Sequence, residues 1–424
     1  MRGHFHLLPR LAAVLALAAP LFAQKFYTYV TDLGPNTCEI TWGTADGKNT
    51  IGRSAPSHGI ATIKIAGRTL STEGTSIVVG NLLPDRLYPF EVDLANRRIG
   101  GGEVRTWPAQ STHLVFFVLG DFGTGNNIQF NIARVMWEEF QRRQHSDNPV
   151  RFILGMGDTI YGDVSGFLLG MGHTGKEDKD WDKKFFAPYE SLMQRVPFFG
   201  VLGNHDGNET ESHGDLTQFL DNMPYPGGKP ARYFEFSYGG GLADFFGLDS
   251  TANTLSGAAQ PFYLAGGAEF HWMQTVFPAS KAQWKIPFMH HPPYSAGPLH
   301  PGSLQQLQHW VSLFSATGVK VVFSGHEHNL QLSDPAATYG IQFVVSGAGG
   351  ELRPNDIQSK LRAAHIAYWA GQNHFLVVEI DGPTMRITPM SFVKLNIRDA
   401  NGNVATPPFI VTLPQAAGTA RPQG

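Results

Sequence analysis

From His113 onward the chain repeats one device: a short apolar run that stops at a polar cluster. The runs are LVFFVLGD, RFILGMGD, FFGVLGNHD, KIPFMHH and VKVVFSGHEHN. Runs of this length with no polar face are strands of a sheet covered on both sides. Helical patterns lie between several of them. In NNIQFNIARVMWEEFQRR, residues Ile128, Ile132, Val135, Met136 and Phe140 share one helical face. GAEFHWMQTVF and SLQQLQHWVSLFSATG read as further helices, the second closed by Gly318. Strands alternating with helices define an α/β architecture, whose ligands gather beyond the carboxyl ends of the strands. The later segments IQFVVSG, HFLVVEIDG and MRITPMS read as antiparallel strands finishing a second sheet.

Residues 24–107 have a different character. FYTYV, TCEITW, ATIKI, TSIVVG and YPFEVDL are short alternating runs separated by Gly, Pro, Asn and Asp. Trp42 stands where a sandwich core takes a large aromatic, and NLLPDRLYPFEV places Tyr88 just before a strand. This pattern resembles a fibronectin type III module with Tyr88 as its corner tyrosine. TWPAQST (106–112) reads as a linker. The expected divisions are a leader at 1–23, the β module at 24–107, a catalytic region at 113–395 and an extension at 396–424. In the extension, the Pro/Ala/Gly-rich tail after about Leu413 reads as loose.

The first 23 residues, MRGHFHLLPRLAAVLALAAPLFA, place two arginines ahead of a short apolar stretch that ends on a small residue. That is the form of a secretory signal, too short for a stable membrane anchor. The expected mature chain begins near Gln24 and is secreted or periplasmic. Net charge is −3 with no Lys/Arg block, which argues against a nucleic-acid or membrane-surface partner. A single cysteine, Cys38, rules out an intramolecular disulfide. Nothing in the sequence sets the oligomeric state.

The polar clusters at the strand ends hold Asp121 in GDFG, and Asp158, Tyr161 and Asp163 in GDTIYGD. They also hold Asn204, His205 and Asp206 in GNHD, His290 and His291 in FMHH, and His326 and His328 in GHEHN. Any one of these alone reads as a turn or a helix cap. Five of them, each after its own strand and each rich in oxygen and nitrogen donors, point to a metal centre. Carboxylate, amide and imidazole suit first-row metals rather than soft ones or calcium. The donors outnumber what one ion needs, and two ions about 3.5–4 Å apart form the layout for in-line displacement at phosphorus. On an extended segment, residues i and i+2 point the same way, so His326 and His328 are expected to converge from one strand end.

The order GDxG, GDxxY, GNH, a strand-end His and GHxH resembles the purple acid phosphatases of the metallophosphoesterase superfamily. The resemblance implies a four-layer αββα catalytic domain behind the β module. It implies that Asp121, Tyr161 and His328 hold an iron(III). Asn204, His290 and His326 would hold a second metal (iron, zinc or manganese), and Asp158 would bridge the two. Much of the superfamily reads Asp-x-His in its first motif; here the position two after Asp121 is Gly123, and Tyr161 supplies the missing donor. The implied reaction is hydrolysis of a small-molecule phosphate monoester by in-line attack of a metal-bound hydroxide. His205 is the first candidate to protonate the leaving oxygen, with His300 and His291 as further catalytic candidates. Asp163 and Asp206 are expected to orient histidines, and Glu327 to point away with no role. Two other readings share these motifs. One is a phosphodiesterase acting on nucleotide or lipid-derived diesters. The other is an extracellular adhesion protein with a vestigial metal site, which the completeness of the ligand set argues against.

Overall fold

The computed structural model describes residues 25–45, 59–161, 181–206, 217–228, 231–251 and 264–414. The leader, Asp163 and the last ten residues lie outside them.

Among the described residues, seven strands form the amino-terminal unit: β1 (Tyr27–Leu33), β2 (Cys38–Gly43), β3 (Ala61–Ile65), β4 (Arg68–Thr72), β5 (Ser76–Val79), β6 (Leu87–Leu94) and β7 (Arg97–Arg105). They pair as two antiparallel sheets, β1-β2-β5 and β4-β3-β6-β7. Trp42 is buried between them. The Leu83 amide donates to the Tyr88 hydroxyl at 2.9 Å, tying the approach to β6 back on itself.

Two larger sheets follow. The six-stranded sheet runs β10-β9-β8-β18-β19-β21, with β21 at Phe409–Thr412, and the eight-stranded sheet runs β11-β12-β13-β14-β16-β15-β17-β20, with β11 at Phe234–Tyr238, β17 at Ile366–Ala370 and β20 at Arg398–Asp399. Their parallel strands are β8 (His113–Leu119), β9 (Val150–Gly155) and β10 (Phe198–Gly200) in the first sheet. In the second they are β12 (Ala243–Gly247), β13 (Trp284–Phe288), β14 (Val321–Ser324) and β16 (Gln342–Ser346). The sheets meet through phenylalanines. Phe116 of β8 lies 5.3 Å from Phe245 of β12, and Phe152 of β9 lies 5.1 Å from Phe245, both edge to face. Such rings each bury about 150–250 Å² and favour edge-to-face contact, so this layer carries much of the core energy.

Helices cover the outer faces. Helix α1 (Asn127–Arg143) is capped by the Asn126 side chain, and its Arg143 pairs with Glu379 of β18 (Phe375–Asp381). Its buried face is Gln129, Ile132, Ala133, Met136, Glu139 and Phe140, which turns Ile128 and Val135 to the margin. Helix α2 (Ala187–Met193) continues a π-helical turn at Asp182–Phe186, and α3 (Thr217–Asn222) follows. On the other sheet lie α4 (Ala268–Ala279), with Phe277 stacked on Phe246, and α5 (Leu304–Ala316). The order of layers is α, β, β, α, as expected.

The structure corrects four details. The late segments divide between the sheets: β16 runs parallel to β14, whereas β18 and β19 (Thr384–Met390) form a hairpin beside β8. Residues 396–414 pair into both sheets, Arg398 beside Trp369 and Phe409 beside Ile387, because both edges still offered unpaired backbone. The segment 106–112 is no free linker, since Trp107 is buried against Phe152, Phe236 and Tyr238. Finally, β14 ends at Ser324, and His326 sits in a turn with φ +70°, so the two histidines do not project from one extended strand.

Candidate metal centre

Every parallel strand of both sheets ends on the same side. β8 leads to Asp121, β9 to Asp158 and Tyr161, β10 to Asn204, β13 to His290 and β14 to the turn carrying His326 and His328. Three of these residues adopt left-handed backbone: Asp121 at φ +55°, Asp158 at +52° and His326 at +70°. A non-glycine residue there costs on the order of 1–3 kcal/mol and persists only where its surroundings enforce it, a mark of functional sites. The surroundings are visible. The Asp121 amide donates to Gly157 O, its carbonyl accepts from the Gly350 and Glu351 amides, and the His326 amide donates to Asp121 Oδ2 at 2.8 Å. The His205 amide donates to Asp158 Oδ1 at 2.9 Å.

The first donor set gathers around Tyr161. Its hydroxyl lies 3.1 Å from Asp121 Oδ1, 3.0 Å from Asp158 Oδ2 and 3.1 Å from His328 Nε2. One hydroxyl proton cannot serve both carboxylates at once, so this set suits a cation. Burial first, and then the Asp121, Asp158 and Glu351 carboxylates, push the phenol well above its ordinary pKa. A phenolate here therefore requires a metal ion as its counter-charge.

The second set is equally specific. His290 Nδ1 faces Met156 O at 2.7 Å and donates to it, which leaves Nε2 as the lone-pair atom. That Nε2 lies 2.9 Å from Asn204 Oδ1, and His326 Nδ1 lies 2.8 Å from the same oxygen. Asp158 Oδ2, 3.0 Å from the tyrosine hydroxyl, is 3.4 Å from His290 Nε2, so a single carboxylate oxygen borders both sets. The residues present fit two oxygen- and nitrogen-ligated first-row cations.

Glycines make the closeness possible. A Cβ on Gly203 would stand 2.1 Å from Asp158 Oδ1. One on Gly123 would stand 1.8 Å from Thr159 O, so a side chain at 123 and the loop that brings in Tyr161 cannot coexist.

The remaining sequence candidates surround this core. The His205 ring lies 4.6 Å from the Tyr161 ring and is half-buried. The His300 ring lies 4.0 Å from that of His326, so the loop at 294–302 does deliver this residue to the site. The His291 ring lies 4.3 Å from His326, its Nδ1 3.0 Å from Ser250 Oγ, and one of its nitrogens lies within 4.8 Å of nitrogens of His290 and His326. Burial, followed by the charge of His290, holds His291 down to about 3. Burial, followed by Arg353, holds His300 down to about 4.

Asp206 and Glu327 have partners that the sequence did not show. Asp206 orients no histidine through the bonds seen: its carboxylate accepts from the backbone amides of Thr159, Ile160 and Gly203 and so braces two ligand loops against each other. Glu327 is fully buried and accepts from Arg353 Nη1 at 3.2 Å and Asn329 Nδ2 at 3.3 Å. Sequence reasoning missed Arg353 and Ser250. The only trace of Arg353 was its place three residues after SGAGG.

A family model described as calcineurin-like phosphoesterase matches residues 114–330, which spans the site from β8 to β15 (Leu330–Ser333). Purple acid phosphatase 17 of Arabidopsis thaliana is 26% identical over 293 residues, 62% of this chain and 78% of that protein. Human tartrate-resistant acid phosphatase type 5 is 26% identical over 302 residues, 65% of this chain and 86% of that protein. The solved structure of purple acid phosphatase PPD1 from seeds of yellow lupin (Lupinus luteus) superposes with a TM-score of 0.64 at 15% identity. It covers 92% of this chain and 74% of that one, a likeness of fold that takes in the amino-terminal unit. With two donor sets at the strand ends and half its length matched by one family, the chain belongs to the calcineurin-like phosphoesterases and is similar, along its catalytic region, to purple acid phosphatases.

Proposed function

We propose that the protein is a secreted binuclear-metal acid phosphatase that hydrolyses phosphate monoesters. The observation that carries this reading is the position of Asp158 Oδ2, 3.0 Å from Tyr161 Oη in one donor set and 3.4 Å from His290 Nε2 in the other. A carboxylate so placed is suited to bridge two ions. In this reading Asp121, Tyr161 and His328 hold an iron(III), and Asn204, His290 and His326 hold iron, zinc or manganese. Bound there, the pair lowers the pKa of water, polarises the phosphoryl oxygens and offsets their charge.

The chain's own residues do the rest. Left-handed backbone at Asp121, Asp158 and His326 holds the donors in place before substrate arrives, so no reorganisation is needed in the transition state. His205, half-buried against Tyr161, protonates the leaving oxygen. His291, held by Ser250, and His300, beside His326, line the approach and orient the phosphoryl group. The amino-terminal unit is a fibronectin type III-like module in this reading, supported by the Tyr88 hydroxyl that accepts from the Leu83 amide. The leader at 1–23 directs export and is removed; an intact mass beginning near Gln24 is expected, and retention of Met1 on the exported chain would overturn that part.

The test is kcat/KM for an aryl phosphate monoester and its matching diester across pH 4–8, with iron plus zinc or manganese loaded and Asp158→Ala as the blank. Monoester preference with an acid optimum supports the proposal. Diester preference replaces it with a phosphodiesterase. Turnover no higher than the blank for both esters removes the enzymatic reading.

A further inference from the structure

The segment that follows Gly349 is tied to the donor residues by backbone hydrogen bonds. The Gly350 and Glu351 amides donate to Asp121 O at 3.0 Å, and the Arg353 amide donates to His328 O at 2.9 Å. Arg353 therefore starts from a fixed point one hydrogen bond away from His328. Its side chain is fixed as well. Nη1 donates to Glu327 Oε2 at 3.2 Å, and Glu327, which stands between His326 and His328, is fully buried. The same carboxylate meets the backbone amide of His300, so Arg353 and His300 flank one anchor. The His300 ring in turn lies 4.0 Å from that of His326.

The two members of this pair differ in exposure. The Glu327 side chain is 0% exposed and that of Arg353 is 21% exposed. The Arg353 side chain is thus partly open to solvent while its anchor is not. Guanidinium presents five donors in a rigid fork suited to planar anions. Among the described residues its side chain donates to Glu327 alone.

We propose that Arg353 is a specificity-determining residue that binds a second anionic group on the substrate. The preferred substrate is then a phosphate monoester whose alcohol portion itself carries a carboxylate or a further phosphate. Glu327 is the positioning residue that aims the fork. This inference rests on the phosphatase reading above. The plainer role for Arg353, neutralising a buried Glu327, makes a different prediction, because it would affect all substrates alike.

The experiment compares phenyl phosphate with 4-carboxyphenyl phosphate on the metal-loaded chain, in the wild type, Arg353→Gln and Arg353→Lys. A second measurement uses calorimetric Kd values for benzylphosphonate with and without a para-carboxylate, which report binding without turnover. The wild type is expected to bind the carboxylated phosphonate more tightly. Arg353→Gln is expected to lose about tenfold more kcat/KM on the carboxylated substrate than on phenyl phosphate, through KM, as removal of a charge-assisted bond predicts. Arg353→Lys, with charge but no fork, is expected between them. Equal losses on both substrates overturn the proposal. So does a wild type whose two phosphonate Kd values are the same, a result that needs no variant to fold. If the wild type neither hydrolyses phenyl phosphate nor binds either phosphonate, it is the phosphatase reading that fails.

Discussion

Gly123 and Thr159 compete for the same space: a Cβ on the glycine would lie 1.8 Å from the threonine carbonyl oxygen. The Tyr161 amide donates to Gly123 O at 2.8 Å, so the loop that carries the phenol is laid directly on the bare glycine. Gly123→Ala has no backbone conflict of the left-handed kind and isolates the steric effect. We expect it to lower stability by about 1–3 kcal/mol, as overpacking does, and to displace Tyr161. Urea midpoints and the visible spectrum of the iron-loaded variant check this, and a variant with unchanged stability and spectrum would sink it.

A phenolate bound to iron(III) absorbs visible light, so the iron-loaded protein should be purple. Tyr161→Phe should remove the band while leaving the fold intact, since the ring still packs beside His205. A colourless wild type with stoichiometric iron would exclude Tyr161 as a ligand.

His205→Ala should lower kcat by roughly 10²–10⁴, the usual contribution of a positioned proton donor. The loss should be largest for alkyl phosphates, whose leaving oxygen needs the proton most, and smallest for nitrophenyl phosphate. An equal loss on both leaving groups would show that His205 does something other than donate that proton.

Glu269 offers a test of pH-linked stability at a residue that belongs to neither donor set. It is buried, its Oε1 accepts from the Asp249 amide at 2.8 Å, and burial followed by the Asp249 charge pushes its carboxyl well above 4.5. In the unfolded chain the carboxyl ionises near 4.5, whereas in the folded chain it keeps its proton to higher pH. Folding thus binds a proton above pH 4.5, and stability falls as pH rises until the folded value is passed. The slope is at most about 1.4 kcal/mol per pH unit. Glu269→Gln should abolish that decline. Denaturant unfolding of both proteins at pH 5 and pH 8 measures it, and a wild-type-to-variant difference independent of pH would refute it.

The divisions between legible and illegible follow the range of the interactions. The strands β8, β9, β13 and β14 were readable because a doubly covered strand is apolar along its whole length. The candidate metal donors were readable because they cluster just after the strands β8, β9, β10, β13 and β14. Arg353 was not, because its meaning lies in a bond to Glu327, 26 residues earlier, and in a fixed backbone that no local pattern announces. The burial of Trp107 was hidden for the same reason: its partners Phe152, Phe236 and Tyr238 are distant in sequence.

The sequence by itself determined the chemistry, since oxygen and nitrogen donors at five strand ends, in a fixed order, specify a metal centre. Only the tertiary structure decided how the donors divide into two sets sharing Asp158, and that His326 comes to the site from a left-handed turn and not from an extended strand. The reason is physical. Donor type is a property of single side chains, whereas a distance of about 3 Å between residues 205 positions apart, as between Asp121 and His326, arises only when both sheets have packed and their backbone bonds hold each loop in place.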